Sequence, residues 1–327
     1  MGDGESVKRK IIKSAARILG TVVIIVFAVW IALAQPSCRS NDASSATVSP
    51  SELRQHVETL SQRFYPRHWR NRENLGKCAD YIAEQFEEAG AVVEFQPFTV
   101  DGREYRNVIG RFGVGLRPRI VVGAHYDTCG PQPGADDNAS GIAVLIELAE
   151  LLGNISPTSA IDVVAYTLEE PPFFRSEQMG SAIHAKSIAD DKTMYRGVIV
   201  LEMVGYFKDD WGSQNHPNLL LRLMYPSRGN FIGVVSRWDQ GDWVKAVKGG
   251  MKGTTELPVY SMRGPTVVPG IDFSDHQNYW KYGFKALMVT DTAFYRNEAY
   301  HSPRDTSDRL DYDRMAQVTV AVFGAIK

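Results

Sequence analysis

The strongest pattern in the chain is an uninterrupted apolar run at residues 18–34, which comes after five lysines and arginines at positions 8–17. As a helix, its 17 residues would span about 26 Å, close to the roughly 30 Å hydrocarbon core of a bilayer. Because no polar face interrupts the run, a buried core helix is disfavoured. The basic residues ahead of it predict a cytoplasmic N-terminus and export of the rest of the chain.

Two fates of this run stay open. It is either a single-pass membrane anchor, with the folded domain on the extracytoplasmic side, or a signal peptide cleaved after Ala34, because residues 32–34 have the small-x-small form. Its length favours the anchor. We divide the chain into a basic cytoplasmic segment 1–17, the anchor or signal 18–34, a flexible serine-rich linker 35–50 and a folded domain 51–327.

From residue 51 onward, short apolar runs alternate with segments whose apolar residues recur at helical spacing. The short runs predict strands, and Asp101-Gly102 between the first two predicts a hairpin. Helices are predicted from Ser51, as the cap, and at 75–90, 142–152, 178–189 and 310–326, and strands at 92–100, 105–112, 119–124, 161–168, 198–204 and 286–289.

This alternation indicates an α/β fold with a mostly parallel central sheet covered by helices on both faces. Residues 206–270, rich in Gly, Pro and Trp, show no clear periodicity. We interpret them as an excursion that shapes a pocket.

The composition is typical of a globular domain, and it restricts the classes of partner that the domain can bind. Apolar residues make up 44% of the chain, and 36 Lys and Arg stand against 38 Asp and Glu. Without a basic excess, nucleic-acid binding is disfavoured. Three cysteines are too few for a disulfide scaffold, and we interpret Cys129 as a small buried residue.

Polar side chains cluster where the predicted strands end. In an open α/β sheet, functional groups collect at the carboxyl ends of the strands. Buried carboxylates repel one another unless positive charge compensates them, and imidazole with carboxylate is a donor set for zinc. The pattern therefore predicts a metal site, whose candidates are His125, Asp127, Asp136, Asp137, Glu169, Glu170, Glu202, Tyr300 and His301.

Competing catalytic motifs are absent from the sequence. It contains no H-E-x-x-H zinc helix, no G-x-S-x-G nucleophile elbow, no P-loop and no G-x-G-x-x-G dinucleotide fingerprint.

From about residue 53 to its end, the chain resembles the M28 family of zinc peptidases, which includes many aminopeptidases. This resemblance implies a three-layer α/β/α fold with a mixed sheet, two zinc ions per chain and a peptide or protein substrate. The motifs that carry it are His125-Tyr126-Asp127, Gly134-Ala135-Asp136-Asp137-Asn138-Ala139-Ser140-Gly141, Glu169-Glu170, Leu201-Glu202-Met203 and Tyr300-His301-Ser302-Pro303-Arg304-Asp305-Thr306.

The resemblance also implies a metal-ligand set. His125 and Glu202 would bind one ion, Glu170 and His301 would bind the other, and Asp137 would bridge them. Position alone does not choose between the two adjacent aspartates, and the family pattern favours the one before Asn138. The family further implies a cis peptide bond at that point.

Other residues receive catalytic or supporting roles by the same resemblance. Glu169 would act as general base towards a water held by the two ions, and Asp127 would orient the metal-binding imidazole. Tyr300 would donate to the developing oxyanion, or simply pack beside His301. Asp275 and His276 would lie near the substrate, although capping of the next helix explains the aspartate equally well.

The chain departs from the family pattern at two points. Glu202 stands where aminopeptidases of this family usually have Asp, and its extra methylene would still reach an ion. Residues 171–176, PPFFRS, replace an often short Gly-rich turn and so alter the pocket wall.

We expect a metal-dependent exopeptidase, most simply an aminopeptidase. One alternative is a glutaminyl-cyclase-like acyltransferase with a single zinc ion. Another, from a different class, is a membrane-tethered binding domain that has lost catalysis.

Overall fold

A computed structural model describes residues 3–37 and 44–327, so Cys38 and most of the predicted linker's first half lie outside it. The chain divides into two units, Met1–Pro36 and Ser37–Lys327. The first unit contains one helix, α1 (Asp3–Ala34). Its Lys8–Ala34 stretch is long and apolar enough to cross a membrane, by length and composition.

The second unit alternates helices and strands along most of its length. Its helices are α2 (Pro50–Glu58), α3 (Arg72–Glu88), α4 (Gly141–Gly153), α5 (Gly180–Ser187), α6 (Leu219–Met224), α7 (Gly241–Met251), α8 (His276–Lys281) and α9 (Tyr312–Ile326). Its strands are β1 (Val92–Val100), β2 (Arg103–Phe112), β3 (Arg119–His125), β4 (Ala160–Tyr166), β5 (Tyr195–Glu202), β6 (Ile232–Arg237), β7 (Val259–Gly264) and β8 (Ala286–Thr290).

The strands form one sheet in the order β1-β2-β4-β3-β5-β8-β6-β7. The central strands β4, β3, β5 and β8 are parallel, whereas β1 and β2 form the predicted antiparallel hairpin. Antiparallel pairs also join β2 to β4 and β6 to β8. The predicted mixed α/β sheet is therefore confirmed, and its parallel centre brings several strand ends to one edge.

Helices cover both faces of the sheet, which confirms the three-layer architecture. The larger apolar cluster packs α2, α3, α4, α7 and α9 against one face. A smaller cluster packs α5 and α8 against the other. The central strands and α4 are almost wholly buried, which explains their continuous apolar sequences.

Several predicted boundaries differ from the observed ones. Helix α2 begins at Pro50, and its cap is Ser49 rather than Ser51. Strand β4 ends at Tyr166, earlier than predicted, so the acidic pair after it lies in a loop. The region 206–270 is more regular than predicted, since it contains α6, β6, α7 and β7. Its strands are short and bounded by loops, so none is long enough to show a clear alternation of apolar and polar residues in the sequence.

The buried side chain of Arg67 links several loops near the ends of the strands. Arg67 is fully buried, and its guanidinium donates hydrogen bonds of 2.7–3.0 Å to the carbonyls of Leu60, Tyr126, Pro133 and Gly134. A planar group with several fixed donors suits this bridging role. Arg67 therefore fixes the position of the loop after β3 and of the turn before α4.

We expect Arg67→Met to lower the free energy of unfolding of the full chain by about 3 kcal/mol or more. The substitution leaves buried carbonyls without a donor, and each such loss costs roughly 1–3 kcal/mol. Urea unfolding in detergent, followed by tryptophan fluorescence, measures the change. Arg70→Met removes an exposed guanidinium that stacks on Trp69 and should stay within about 0.5 kcal/mol of wild type. Equal stability of the two variants would contradict the bridging role.

Candidate metal centre

Five chain segments bring acidic and imidazole side chains to one edge of the sheet. His125 is the last residue of β3, and Glu202 is the last of β5. Asp137 lies in the turn Ala135–Ser140 that leads into α4. Glu170 lies in the loop after β4, and His301 lies beyond β8. The convergence arises because parallel strands end at the same edge.

The first group of donors surrounds His125. Its Nε2 atom lies 3.4 Å from Asp137 Oδ1 and 3.3 Å from Glu202 Oε2. Two atoms that each sit about 2.05 Å from a tetrahedral zinc ion lie roughly 3.3 Å apart. The observed spacing is thus that of donors which share one ion, and the longer Glu202 side chain reaches the position.

The second group surrounds His301. Its Nε2 atom lies 3.1 Å from Asp137 Oδ2 and 3.2 Å from Glu170 Oε2. Asp137 therefore presents one carboxylate oxygen to each group. Two adjacent donor sets joined by one carboxylate are the arrangement found in two-metal hydrolytic sites.

Unpaired buried atoms test whether these residues fit a metal. Among the described residues, no hydrogen-bond partner is found for His125 Nε2, Asp137 Oδ2, Glu170 Oε1 or His301 Nε2. Buried polar atoms normally have a partner. Since all four belong to the side chains of the two donor groups, and imidazole with carboxylate suits zinc, the residues fit divalent ions.

Asp127 supports the centre through contacts with two of its segments. Its Oδ1 and Oδ2 atoms each accept a 3.2 Å hydrogen bond, from the backbone N–H groups of Glu169 and Glu170. Oδ1 also lies 3.6 Å from His125 Nδ1. His125 Nδ1 lies 3.2 Å from the backbone carbonyl of Asp127. Asp127 thus positions the imidazole through its main chain and the acidic loop after β4 through its carboxylate, in the manner of partners that orient metal-binding histidines.

The two adjacent aspartates have different environments. Asp136 turns away from the centre, because its Oδ1 accepts from the Gly205 N–H at 3.0 Å and its Oδ2 from the Asn297 amide at 2.8 Å. The Asp137–Asn138 peptide bond is cis, as the resemblance implies. Only Asp137 of this pair faces both histidines.

The carboxyl groups of the centre repel one another. Burial, together with the charge of Asp137, raises the pKa of Glu170 to about 8, against the opposing effect of His301. Burial and the charges of Glu170 and Glu202 raise the pKa of Glu169 well above its usual value, although His125 opposes this. Bound cations would relieve this repulsion.

The backbone is strained beside three of these side chains. His301 has a φ of 52°, Leu168 before the acidic pair has 61°, and Met203 after Glu202 has 47°. Non-glycine residues rarely adopt the left-handed region, which costs about 1–3 kcal/mol and occurs preferentially at functional sites. The fold holds these residues in unfavourable conformations at the edge where the donors meet.

A largely apolar cavity opens beside the donor groups. It has a volume of about 870 Å³, counting its open mouth, and Glu202 and Tyr300 lie in its wall. Phe231, Met262 and Phe294 supply much of the remaining lining. Several lining residues come from the 206–270 region, so this region does help to shape a pocket.

Tyr300 packs against the centre. Its ring stacks on that of His301, with centroids 3.7 Å apart and planes at 18°. Burial and the charges of Asp137 and Glu170 raise the pKa of its hydroxyl well above the usual value. The side chain is therefore a neutral hydrogen-bond donor at neutral pH.

The structure places Asp275 and His276 outside the two donor groups. Asp275 is fully buried before α8 and makes no side-chain capping bond to that helix. Burial raises its pKa to about 7, with His125 opposing the shift and Glu202 adding to it. His276 Nε2 lies 2.8 Å from the Ile271 carbonyl, which gives this ring a place in the loop structure.

Four further residues lie at or near the centre without being predicted from sequence to do so. Ser274 donates to Glu202 Oε2 at 2.7 Å, and Asp305 accepts from the Asp137 N–H at 3.0 Å. Arg67 lies outside every motif identified in the sequence, so no sequence signal points to it. Cys129 is predicted to be buried, but it is partly exposed, with its sulfur among the second donor group. Ser274 and Asp305 lie within or beside acidic motifs, which is the signal that points towards them.

Comparison with known proteins finds a matching family model and several similar proteins. The model for peptidase family M28 matches residues 107–326. The uncharacterized protein YfbL of Escherichia coli (strain K12) is 43% identical over 94% of this chain and 97% of its own length. Leucine aminopeptidase 1 of Ajellomyces capsulatus is 24% identical over 89% of this chain and 75% of that protein.

Solved structures share the fold. A leucine aminopeptidase precursor from Bacteroides thetaiotaomicron superposes with a TM-score of 0.66 at 22% identity, over 87% of this chain and 99% of that one. A glutaminyl cyclase from the same organism gives 0.66 at 20%, over 86% and 99%. A Zn-dependent exopeptidase from Parabacteroides distasonis gives 0.64 at 18%, over 86% and 99%.

The fold is that of an α/β protein, and the two donor groups form a candidate metal site at the edge of its sheet. The family match covers more than half of the chain, and the chain belongs to peptidase family M28.

Proposed function

We propose that the chain is a membrane-anchored aminopeptidase with two zinc ions per chain. The observation that carries the proposal is Asp137, whose two oxygens face two separate histidine-carboxylate groups. His125 and Glu202 complete one ligand set, and Glu170 and His301 complete the other. When bound, the ions supply Lewis-acid activation of water and of the scissile carbonyl.

Glu169 acts as general base and then as general acid. It is buried beside the two donor groups, and Asp127 fixes its backbone. Its carboxylate takes a proton from the attacking water and returns it to the leaving amine, so the side chain ends each cycle in its starting form. Without bound cations the pKa of Glu169 is raised by burial and by its acidic neighbours, and bound cations would lower it, which leaves the carboxylate able to accept the proton.

Tyr300 and Asp275 complete the proposed site. The neutral hydroxyl of Tyr300 donates to the oxygen on which negative charge develops, a contact worth about 3 kcal/mol when well aligned. Asp275, buried before α8, is the acidic group that would face the substrate ammonium group, and His276 holds the loop that carries it. Peptide binding thus places the N-terminal amine near acidic groups and its side chain in the apolar cavity.

The cavity predicts a preference for large apolar N-terminal residues. We expect kcat/KM for leucyl and phenylalanyl peptides to exceed that for alanyl peptides by about 10-fold or more, since each buried methylene contributes roughly 0.8 kcal/mol. Lysyl and glutamyl peptides should be poorer still, because the lining offers few charged partners. Release of free amino acid from matched dipeptides, using the full chain in detergent, measures this. Equal rates for all side chains would contradict the assignment of the cavity.

A glutaminyl-cyclase-like acyltransferase remains the closest rival, because a glutaminyl cyclase shares the fold over 99% of its length. That activity would use one zinc ion and convert N-terminal glutamine without water. The complete second ligand set around His301 favours the two-metal peptidase. A catalytically inactive binding domain is the second rival, and zinc uptake with peptide turnover would exclude it.

Helix α1 provides the proposed membrane attachment. Its basic N-terminal part favours the cytoplasmic side, so the peptidase domain would face the extracytoplasmic side. Cleavage after Ala34 would instead release the domain. Mass spectrometry of the mature N-terminus distinguishes the two, because an uncleaved anchor keeps residues 18–34 on the protein, whereas cleavage removes them.

A further inference from the structure

The second donor group contains a thiol that the peptidase mechanism does not use. Cys129 lies just after β3, in the loop beyond His125. A single atom from each of Cys129, Glu170 and His301 can be chosen so that all three lie within 4.8 Å of one another.

Two buried oxygen atoms without a hydrogen-bond partner indicate that this group holds a ligand. Glu170 is 3% exposed, and its Oε1 atom has no hydrogen-bond partner among the described residues. Asp137 Oδ2, equally unpaired, lies 3.1 Å from His301 Nε2 on the other side. The thiol would add a third chemical kind of donor to this group of carboxylates and imidazole.

We propose that Cys129 is a fourth protein ligand of the zinc ion held by Asp137, Glu170 and His301. This inference rests on the metal centre proposed above. Sulfur sits about 2.3 Å from zinc, and nitrogen about 2.05 Å, so the two donors would lie roughly 3.6 Å apart, which is inside the 4.8 Å limit that holds for the Cys129, Glu170 and His301 atoms.

Coordination changes the thiol in a defined way. The S–H bond breaks, its proton passes to solvent, and the sulfur lone pair forms the bond to zinc, with no electron transfer. Four protein donors close a tetrahedral site, whereas the three donors around His125 leave a position open. The His301 ion would then be the one held by a soft ligand, and water would reach it through a fifth coordination position.

Cobalt substitution tests the proposal without relying on activity. The full chain in detergent is stripped with a chelator and reloaded with Co²⁺. Thiolate bound to cobalt gives a near-ultraviolet charge-transfer band that imidazole and carboxylate ligands do not give. We expect this band in wild type and in Cys38→Ser, the matched thiol control, and its loss in Cys129→Ser. We also expect one of the two ions to bind Cys129→Ser about 10–100-fold more weakly, or worse.

A second measurement uses only the wild-type chain, so it does not depend on folding of the variant. Zinc should protect Cys129 from alkylation by iodoacetamide, as read by peptide mass spectrometry, and should leave Cys38 labelling unchanged. Cobalt uptake without the band, or labelling of Cys129 that zinc does not slow, would overturn the ligand assignment alone. Failure to bind any metal would overturn both proposals. A band without peptide hydrolysis would support the ligand and contradict the aminopeptidase.

Discussion

Replacing Glu169 by glutamine should lower kcat for peptide hydrolysis by about 10²–10⁴-fold while leaving the zinc content of the chain unchanged. The amide keeps the size of the side chain but cannot accept a proton from water, and general acid–base catalysis contributes an effect of that size. The backbone N–H of this residue, which donates to Asp127, is retained, so the loop after β4 should keep its position. Initial rates on a leucyl peptide, with metal analysis of the same sample, measure both quantities.

Glu177→Gln is the matched control for this substitution. Glu177 lies further along the same loop, is exposed, and pairs with Lys281 at the surface. Its replacement should leave kcat within about twofold of wild type, because exposed ion pairs contribute little. Near-normal turnover by Glu169→Gln would remove Glu169 from the base role. Loss of zinc in that variant would instead make Glu169 a ligand.

Replacing Asp137 by asparagine should weaken zinc binding at both donor groups and abolish hydrolysis with it. One side chain serves both histidines, and the amide offers a single weaker oxygen in place of two charged ones. The affinity should fall by at least about 10–100-fold, which is the loss caused by removal of even an outer partner. Zinc content after dialysis against a chelator, together with turnover, measures the effect.

Asp136→Asn provides the control within the same turn. Its carboxyl group bonds to Gly205 and Asn297 rather than facing the donors. Burial and the neighbouring Asp291 raise the pKa of Asp136 well above its usual value, so the neutral amide is a close substitute. We expect a loss of about 1–3 kcal/mol in stability from one unpaired polar group, with zinc content retained. Zinc loss from Asp136→Asn, with zinc retained by Asp137→Asn, would show that Asp136 rather than Asp137 is the metal ligand.

Two regularities of the sequence predict the fold and the donor residues. Buried parallel strands such as β3 and β4 have continuous apolar sequences, and acids or histidine lie at or just after the end of each. A sheet built from such alternating elements brings those ends together. His125 and Glu202 can therefore be placed near one another from sequence alone, although more than seventy positions separate them.

Other features cannot be read from sequence because they depend on tertiary contacts between distant segments. Arg67 looks like a surface residue until its four carbonyl partners are seen. Strands β6 and β7 have short, irregular periods and are defined by the pairing of β6 with β8 and with β7. Cys129 becomes a candidate metal ligand only because the fold places His301, which is distant in sequence, beside it.

Metal analysis combined with product identification tests the dinuclear aminopeptidase most directly. The purified full chain is analysed for zinc and then incubated with a leucyl peptide and a glutaminyl peptide. We expect two zinc ions per chain and release of free N-terminal amino acid. A single zinc ion per chain, with cyclised glutaminyl product and no released leucine, would contradict the two-metal peptidase and favour the acyltransferase.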